Sequence, residues 1–287
     1  MKVVNIDSLS SHKKNDEGHS AHNGSRDKKQ VARQFSRAAQ SYDSAATIQQ
    51  QAIERLLTFM PTAVNKDLGH WLDIGCGTGA AFEPLLEKGI QHLTGVDLAE
   101  GMLQFAQQQK SDSDIINRLE FVQADADDLP FHDGSKNGIF SSLMLQWSEN
   151  PLHTLNEWQR VLKPGSTMAI ATLLPGTQQE LSDAWHEIDE RPHVNQFVEK
   201  QRLVDICAQL NLEIITQHQE CLTEHYDSLT ELLRSLKAIG ATNVNSGRKS
   251  GLGGRAALKQ LDQFYPRDNN GKLPVSYQVF WLVLRKG

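Results

Sequence analysis

The stretch Asp73-Ile74-Gly75-Cys76-Gly77-Thr78-Gly79, entered from the apolar Trp71-Leu72, constrains the fold of this chain more than any other. Its pattern is a buried strand running into a glycine turn, with a helix from about Ala80 onward. Alternate glycines let a backbone pass close to a bound ligand where a Cβ would collide. A second apolar strand, His92-Leu93-Thr94-Gly95-Val96, closes on Asp97, at the offset of about twenty residues expected of a carboxylate that holds ribose hydroxyls. The pair of segments implies an adenosine-containing ligand.

Gly75, Gly77 and Ala80 also satisfy the relaxed dinucleotide fingerprint, so that motif alone does not select the ligand. A nicotinamide dinucleotide needs the helix N-terminus clear for its pyrophosphate. An acid at Asp73, just before the first glycine, suits an ammonium group better than a phosphate. S-adenosylmethionine carries that ammonium and has no phosphate.

Three further segments follow. Leu119 to Asp125 is a strand ending in an acid, Asn137 to Leu143 a fourth strand leading into Met144-Leu145-Gln146-Trp147, and Thr167 to Thr172 a fifth. Lys163-Pro164-Gly165 before the fifth is a helix stop, a cation at the C-terminus followed by two residues that cannot continue the helix. In type, order and spacing these segments resemble the motifs of class I S-adenosylmethionine-dependent methyltransferases. The resemblance implies an α/β, Rossmann-like fold, with a mostly parallel seven-stranded sheet, the last strand antiparallel, and a helical lid. It places the cofactor on Asp73, Gly75, Cys76, Gly77, Gly79, Asp97, Leu98, Met102, Asp125, Ala126 and Leu143. Asp125 would accept from the adenine amine and the Ala126 amide would meet a ring nitrogen.

At 287 residues the chain is long enough for one large domain with elaborations. No apolar run approaches the roughly 20 residues of a membrane span, and no secretory signal opens it, so a cytoplasmic location is expected by default. Its three cysteines are too few and scattered for a disulfide framework or zinc site; no metal is expected, and Cys76 reads as a space-filler beside the ligand. A formal charge of −6 argues against general nucleic-acid binding.

Residues 1–28 read as a polar, disordered tail, rich in Ser, His, Asn, Asp and Lys with little to bury. A single domain is expected over 29–287. In its first helix Val31, Phe35, Ala38, Ala39 and Tyr42 share one face and leave Arg33 and Arg37 outward. With a second helix to Phe59 this makes an N-terminal lid, 29–62. The cofactor core is 68–174, alternating strand and helix, hence a parallel sheet covered on both faces. An insertion, 176–199, is followed by a helix from Lys200 and by a sixth strand, Glu213 to Gln219, with Thr223 as its furthest end. Two helices joined by Gly240 to Leu252 form a cap, 227–272, and the final strand runs from Val275 to Arg285.

The flanking segments carry a narrower resemblance. Val31-Ala32-Arg33-Gln34-Phe35-Ser36-Arg37-Ala38-Ala39-Gln40-Ser41-Tyr42-Asp43, Leu236 to Asn243, Gly251-Leu252-Gly253-Gly254-Arg255, Tyr265 and Leu273 to Val279 together are similar to the malonyl-[acyl-carrier-protein] O-methyltransferases of the biotin pathway. The resemblance implies methylation of the free carboxylate of a malonyl thioester, borne by acyl carrier protein or coenzyme A. A carboxylate with a pKa near 4 is already ionised at neutral pH, so no general base is required, and none stands out in the chain. A guanidinium is the best partner for that carboxylate. Arg255 is the first candidate, with Lys237 and Arg248 behind it, each set against the plainer reading of a solvated cation. Tyr42 is read as a lid over the methionine part or as a packing tyrosine. Two acid-free basic runs, one of Arg248, Lys249, Arg255 and Lys259 and one of Lys28, Lys29, Arg33 and Arg37, could meet an acidic carrier protein. Another small carboxylic acid or a quinone ring carbon as acceptor would share the core but not the flanking signatures; a nicotinamide oxidoreductase is the alternative from another class.

Overall fold

The structure, a computed structural model, describes residues 27–60, 68–240 and 254–287. The polar segment before Asp27, with His12, His19 and His22, and the link holding Arg248 and Lys249 lie outside the described residues. Seven strands form one sheet: β1 (His70–Ile74), β2 (His92–Asp97), β3 (Leu119–Gln123), β4 (Lys136–Ser142), β5 (Leu162–Leu173), β6 (Leu212–Tyr226) and β7 (Leu273–Lys286). Their order is β3-β2-β1-β4-β5-β7-β6. The first five pair parallel, and β7 enters antiparallel between β5 and β6.

Alternate residues of the central strands serve opposite faces. Trp71, Phe140, Ala169, Ala171, Val279 and Trp281 pack on one face against the first helices. Leu72, Ile74, Ile139, Met168, Ile170, Phe280 and Leu282 pack on the other. The first face is covered by α2 (Thr47–Phe59), α3 (Phe82–Glu87) and α4 (Glu100–Lys110), and α1 (Lys28–Ala45) packs on α4; Trp281 Nε1 donates to the Ala52 carbonyl of α2 at 3.0 Å. The second is covered by α5 (Pro151–Val161) and, beyond the short insertion helix α6 (Gln179–His186), by α7 (Lys200–Gln209). Two helices, α8 (Leu229–Ala238) and α9 (Gly254–Phe264), connect β6 to β7.

Local chemistry sets the helix ends. Asp27 caps α1, accepting from the Lys29 and Gln30 amides, so the helix begins at Lys28. Asn150 caps α5, with Pro151 in its first turn. The helix after the glycine turn starts at Phe82 instead of Ala80, because Gly77 and Gly79 sit at φ +53° and +79°, outside helical space. β5 reaches back to Leu162, so Lys163-Pro164-Gly165 falls inside its span, at a register shift where Lys136 pairs Leu162 and Gly138 pairs Thr167. β6 runs three residues past Thr223, the furthest end expected, because β7 supplies partners as far as Tyr226.

Candidate active site

Asp73 lies mid-sheet, in register with Gly95 of β2 and Phe140 of β4, and is only 2% exposed. Beyond it the chain turns sharply. Gly75 has φ +73°, and a Cβ there would come within 2.4 Å of the Met144 side chain. Gly77 has φ +53° and open space where its Cβ would point, which leaves room for a ligand against bare backbone. Asp97 ties this turn to β2: Oδ2 accepts from the Gly77 amide at 2.9 Å and Oδ1 from the Ala99 amide at 2.8 Å. Each oxygen keeps a lone pair for a diol.

These residues open onto a cleft of about 920 Å³ at the carboxyl edge of the sheet, where ligands of such folds bind. Its walls come from five places: the β1 turn (Gly75, Gly77), the end of β2 with α4 (Asp97, Leu98, Met102), the end of β3 (Asp125, Ala126, Asp127), the end of β4 (Leu143, Met144, Trp147), and α1 (Lys28, Phe35, Tyr42). A smaller cavity of about 480 Å³ adjoins it, lined by Asp73, Cys76, Thr78 and Asp43. Tyr42, Gly75, Gly77 and Ser142 border both. The result is one groove of two chambers with Tyr42 at the waist.

The electrostatics suit a cationic ligand. Burial first, and the Asp97 charge second, push the Asp73 carboxyl up to about 8, and among the described residues no cation pairs with it. Burial also pushes Asp97 up, against the pull of the backbone amides of Ala99, Gly77 and Leu98. The Tyr42 phenol is raised by burial and then by Asp97 and Asp43, so at neutral pH it is a donor and not a base. Burial raises the Cys76 thiol well above its ordinary range, which leaves it inert. The donor set fits S-adenosylmethionine: a buried acid for the ammonium, Asp97 for the ribose, and a largely apolar chamber ending at Asp125 for the adenine. Among the described residues no cluster of three His, Cys, Asp or Glu could hold a metal, and no helix is long and apolar enough to cross a membrane.

Of the cofactor residues expected from sequence, all but one line the groove. Gly79 lines neither chamber, and a Cβ there would strike the Phe82 ring at 2.5 Å. Leu143, at φ +53° with its amide on the Ala171 carbonyl at 2.8 Å, holds a backbone form rarely adopted by side-chain-bearing residues. Lys237 is exposed on α8 and lines neither chamber. Arg255 falls in the first turn of α9, and its side chain lies outside the described residues. Of these two helices α8 meets α1: Ser41 Oγ donates to the Ala238 carbonyl at 3.2 Å.

Among the described residues the groove is roofed by α1. Asp43 accepts from Thr78 Oγ1 at 2.6 Å, Ser36 Oγ accepts from the Gly101 amide at 3.2 Å, and Phe35 meets Trp147 edge-on with centroids 5.3 Å apart. Lys28 Nζ bridges Asp125 and Asp127 at 2.7 and 2.6 Å. Lys28 is thus a wall of the groove and not part of a free basic run. Sequence reasoning missed Thr78, Asp43, Asp127 and this role of Lys28, since each depends on contacts between distant segments. The polar Thr78 inside the glycine turn was the one available signal.

Residues 72–170 match the family described as a methyltransferase domain. Fold and groove define a methyltransferase of the class that draws its methyl group from S-adenosylmethionine. The protein is 37% identical over 257 residues to the malonyl-[acyl-carrier protein] O-methyltransferase of Serratia marcescens, covering 90% of this chain and 95% of that one. It is 37% identical over 267 residues to the biotin biosynthesis bifunctional protein BioHC of Teredinibacter turnerae, covering 90% of this chain and 47% of that one, so the chain spans about half the length of such bifunctional relatives. Its fold is similar to that of YcgJ of Bacillus subtilis, with TM-score 0.58 at 18% identity over 82% of this chain and 98% of that one. It is also similar to geranyl diphosphate C-methyltransferase of Streptomyces coelicolor, solved with S-adenosyl-L-homocysteine, with TM-score 0.51 at 16% identity over 82% and 75%. The chain belongs to the malonyl-[acyl-carrier protein] O-methyltransferase family.

Proposed function

We propose that this enzyme transfers the S-adenosylmethionine methyl group to the free carboxylate of a malonyl thioester on acyl carrier protein, giving a methyl ester in biotin synthesis. The 37% identity to the Serratia marcescens enzyme, across 95% of its length, carries this reading. The groove supports it. The small chamber takes the methionine end against Asp73, the large one takes the nucleoside, and Tyr42 stands between them near the sulfonium. When bound, the cofactor supplies an electrophilic methyl. The acceptor is already an anion, and no histidine lines either chamber among the described residues. Catalysis then rests on alignment and water exclusion, worth roughly 7–11 kcal/mol when geometry is right.

Arg255, with Arg248 behind it, is the proposed partner of the malonyl carboxylate, and residues 227–272 its cap. Carrier protein is the proposed macromolecular partner, met by Arg248 and Lys249 and by the exposed Arg33 and Arg37 of α1. Reversing Arg248 and Lys249 together is expected to raise KM for the carrier-borne substrate while sparing the coenzyme A thioester; equal losses on both remove this docking role. The reaction itself is tested by mass spectrometry of carrier protein incubated with enzyme and S-adenosylmethionine. Malonyl carrier gains one methyl and acetyl carrier none; methylation of both, or of neither, contradicts the assignment.

A further inference from the structure

Lys28 is the first residue of α1, yet its ammonium sits at the end of β3. Nζ lies 2.9 and 2.7 Å from the two carboxylate oxygens of Asp125 and 2.6 Å from Asp127 Oδ2. Asp125 Oδ1 also accepts from the Asp127 amide at 3.0 Å, and the other Asp127 oxygen accepts from Thr154 Oγ1. A carboxylate offers about four lone-pair positions. Asp125 therefore keeps one, on Oδ2, for a ligand in the large chamber, which all three residues line. The side chains of Lys28 and Asp125 are 36% and 35% exposed, so the bridge remains open to competition from salt.

We infer that Lys28 is a positioning residue for the nucleoside: by bridging Asp125 and Asp127 it leaves one acceptor position for an exocyclic amine, ties the first turn of α1 across the adenosine end, and must let go before the nucleoside leaves. This rests on the reading that the large chamber takes the adenosine part of the cofactor, and the test needs no methyl acceptor. S-adenosylhomocysteine is loaded onto the full chain and its release followed by stopped-flow fluorescence. In Lys28→Met, release is about fivefold faster, the effect of one half-exposed ion pair. Native release quickens between about 50 and 500 mM salt as the bridge is screened, whereas Lys28→Met release does not. Lys28→Arg restores the native rate, and Lys29→Met, an exposed neighbour, matches the native chain. S-inosylhomocysteine, with a carbonyl in place of the amine, is rejected less strongly by Lys28→Met than by the native chain. Unchanged release in Lys28→Met, or faster release with the native salt dependence, overturns the inference. Failure of the native chain to hold S-adenosylhomocysteine overturns both it and the reading beneath it.

Discussion

Asp73 is where a single carboxyl group couples protonation to the ligand. Its carboxyl stands at about 8 in the free protein because burial, then Asp97, opposes its ionisation. The folded chain thus keeps a proton that the unfolded chain releases above about 3.9. Through this group, ligand-free stability is fullest below that value and is lost as pH rises through about 8. A ligand ammonium that pairs with ionised Asp73 displaces the proton. Affinity for S-adenosylhomocysteine is accordingly expected to fall, by up to about tenfold per pH unit, below about pH 8. Fluorescence titrations at several pH values check this, and a profile in Asp73→Asn as steep as the native one contradicts it. The glycines separate in the same manner. Gly75→Ala drives a Cβ to 2.4 Å from Met144 at φ +73° and is expected to cost at least about 1–2 kcal/mol in urea denaturation. Gly77→Ala meets nothing within 4 Å, so its added loss appears in cofactor affinity. Glycine spacing made both positions legible in sequence; that a Cβ at Gly79 would meet Phe82 was not, because spacing says nothing about what packs on either side of a turn.

Among the elements, α1 lines the groove from above the strand tips. Its buried face was readable from the periodicity of Val31, Phe35, Ala38, Ala39 and Tyr42, of which Ala38 and Ala39 are fully buried. Its place over the strand tips was not, since Thr78–Asp43 and Ser36–Gly101 join segments whose proximity no local pattern encodes. Phe35 is half-buried against Trp147 and Tyr42. Phe35→Ala is expected to cost about 1–2 kcal/mol in stability, less than a full core deletion, and to weaken S-adenosylhomocysteine binding beyond that loss. Equal binding by the variant and the native chain removes the lid role of α1. The last residues of the edge strand β6, past Thr223, were under-read for a physical reason: from Glu213 to His225 its residues alternate between exposed and half-exposed, so it lacks the continuous apolar run that marks a buried parallel strand. The insertion helix α6 buries little beyond Leu181 and Ala184, too short a stripe to stand out.

The whole molecule is organised by β7, which joins the parallel half of the sheet to β6 and carries Trp281 into the face beneath α2. Trp281 is fully buried, and Trp281→Ala is expected to lower stability by about 3–5 kcal/mol in chemical denaturation. A loss below about 1 kcal/mol contradicts the packing described. Fold class and the mostly parallel sheet were legible because buried strands and their terminal acids, Asp73, Asp97 and Asp125, are written consecutively. The claim on which this account depends is that one groove divides its cofactor, with Asp73 holding the amino-acid part and the larger chamber the nucleoside. Calorimetric titration of the native chain and Asp73→Asn with S-adenosylhomocysteine and with 5′-methylthioadenosine, which lacks the amino-acid part, tests it directly. Asp73→Asn should weaken the first ligand at least about tenfold and leave the second unchanged; equal weakening of both, or of neither, contradicts it.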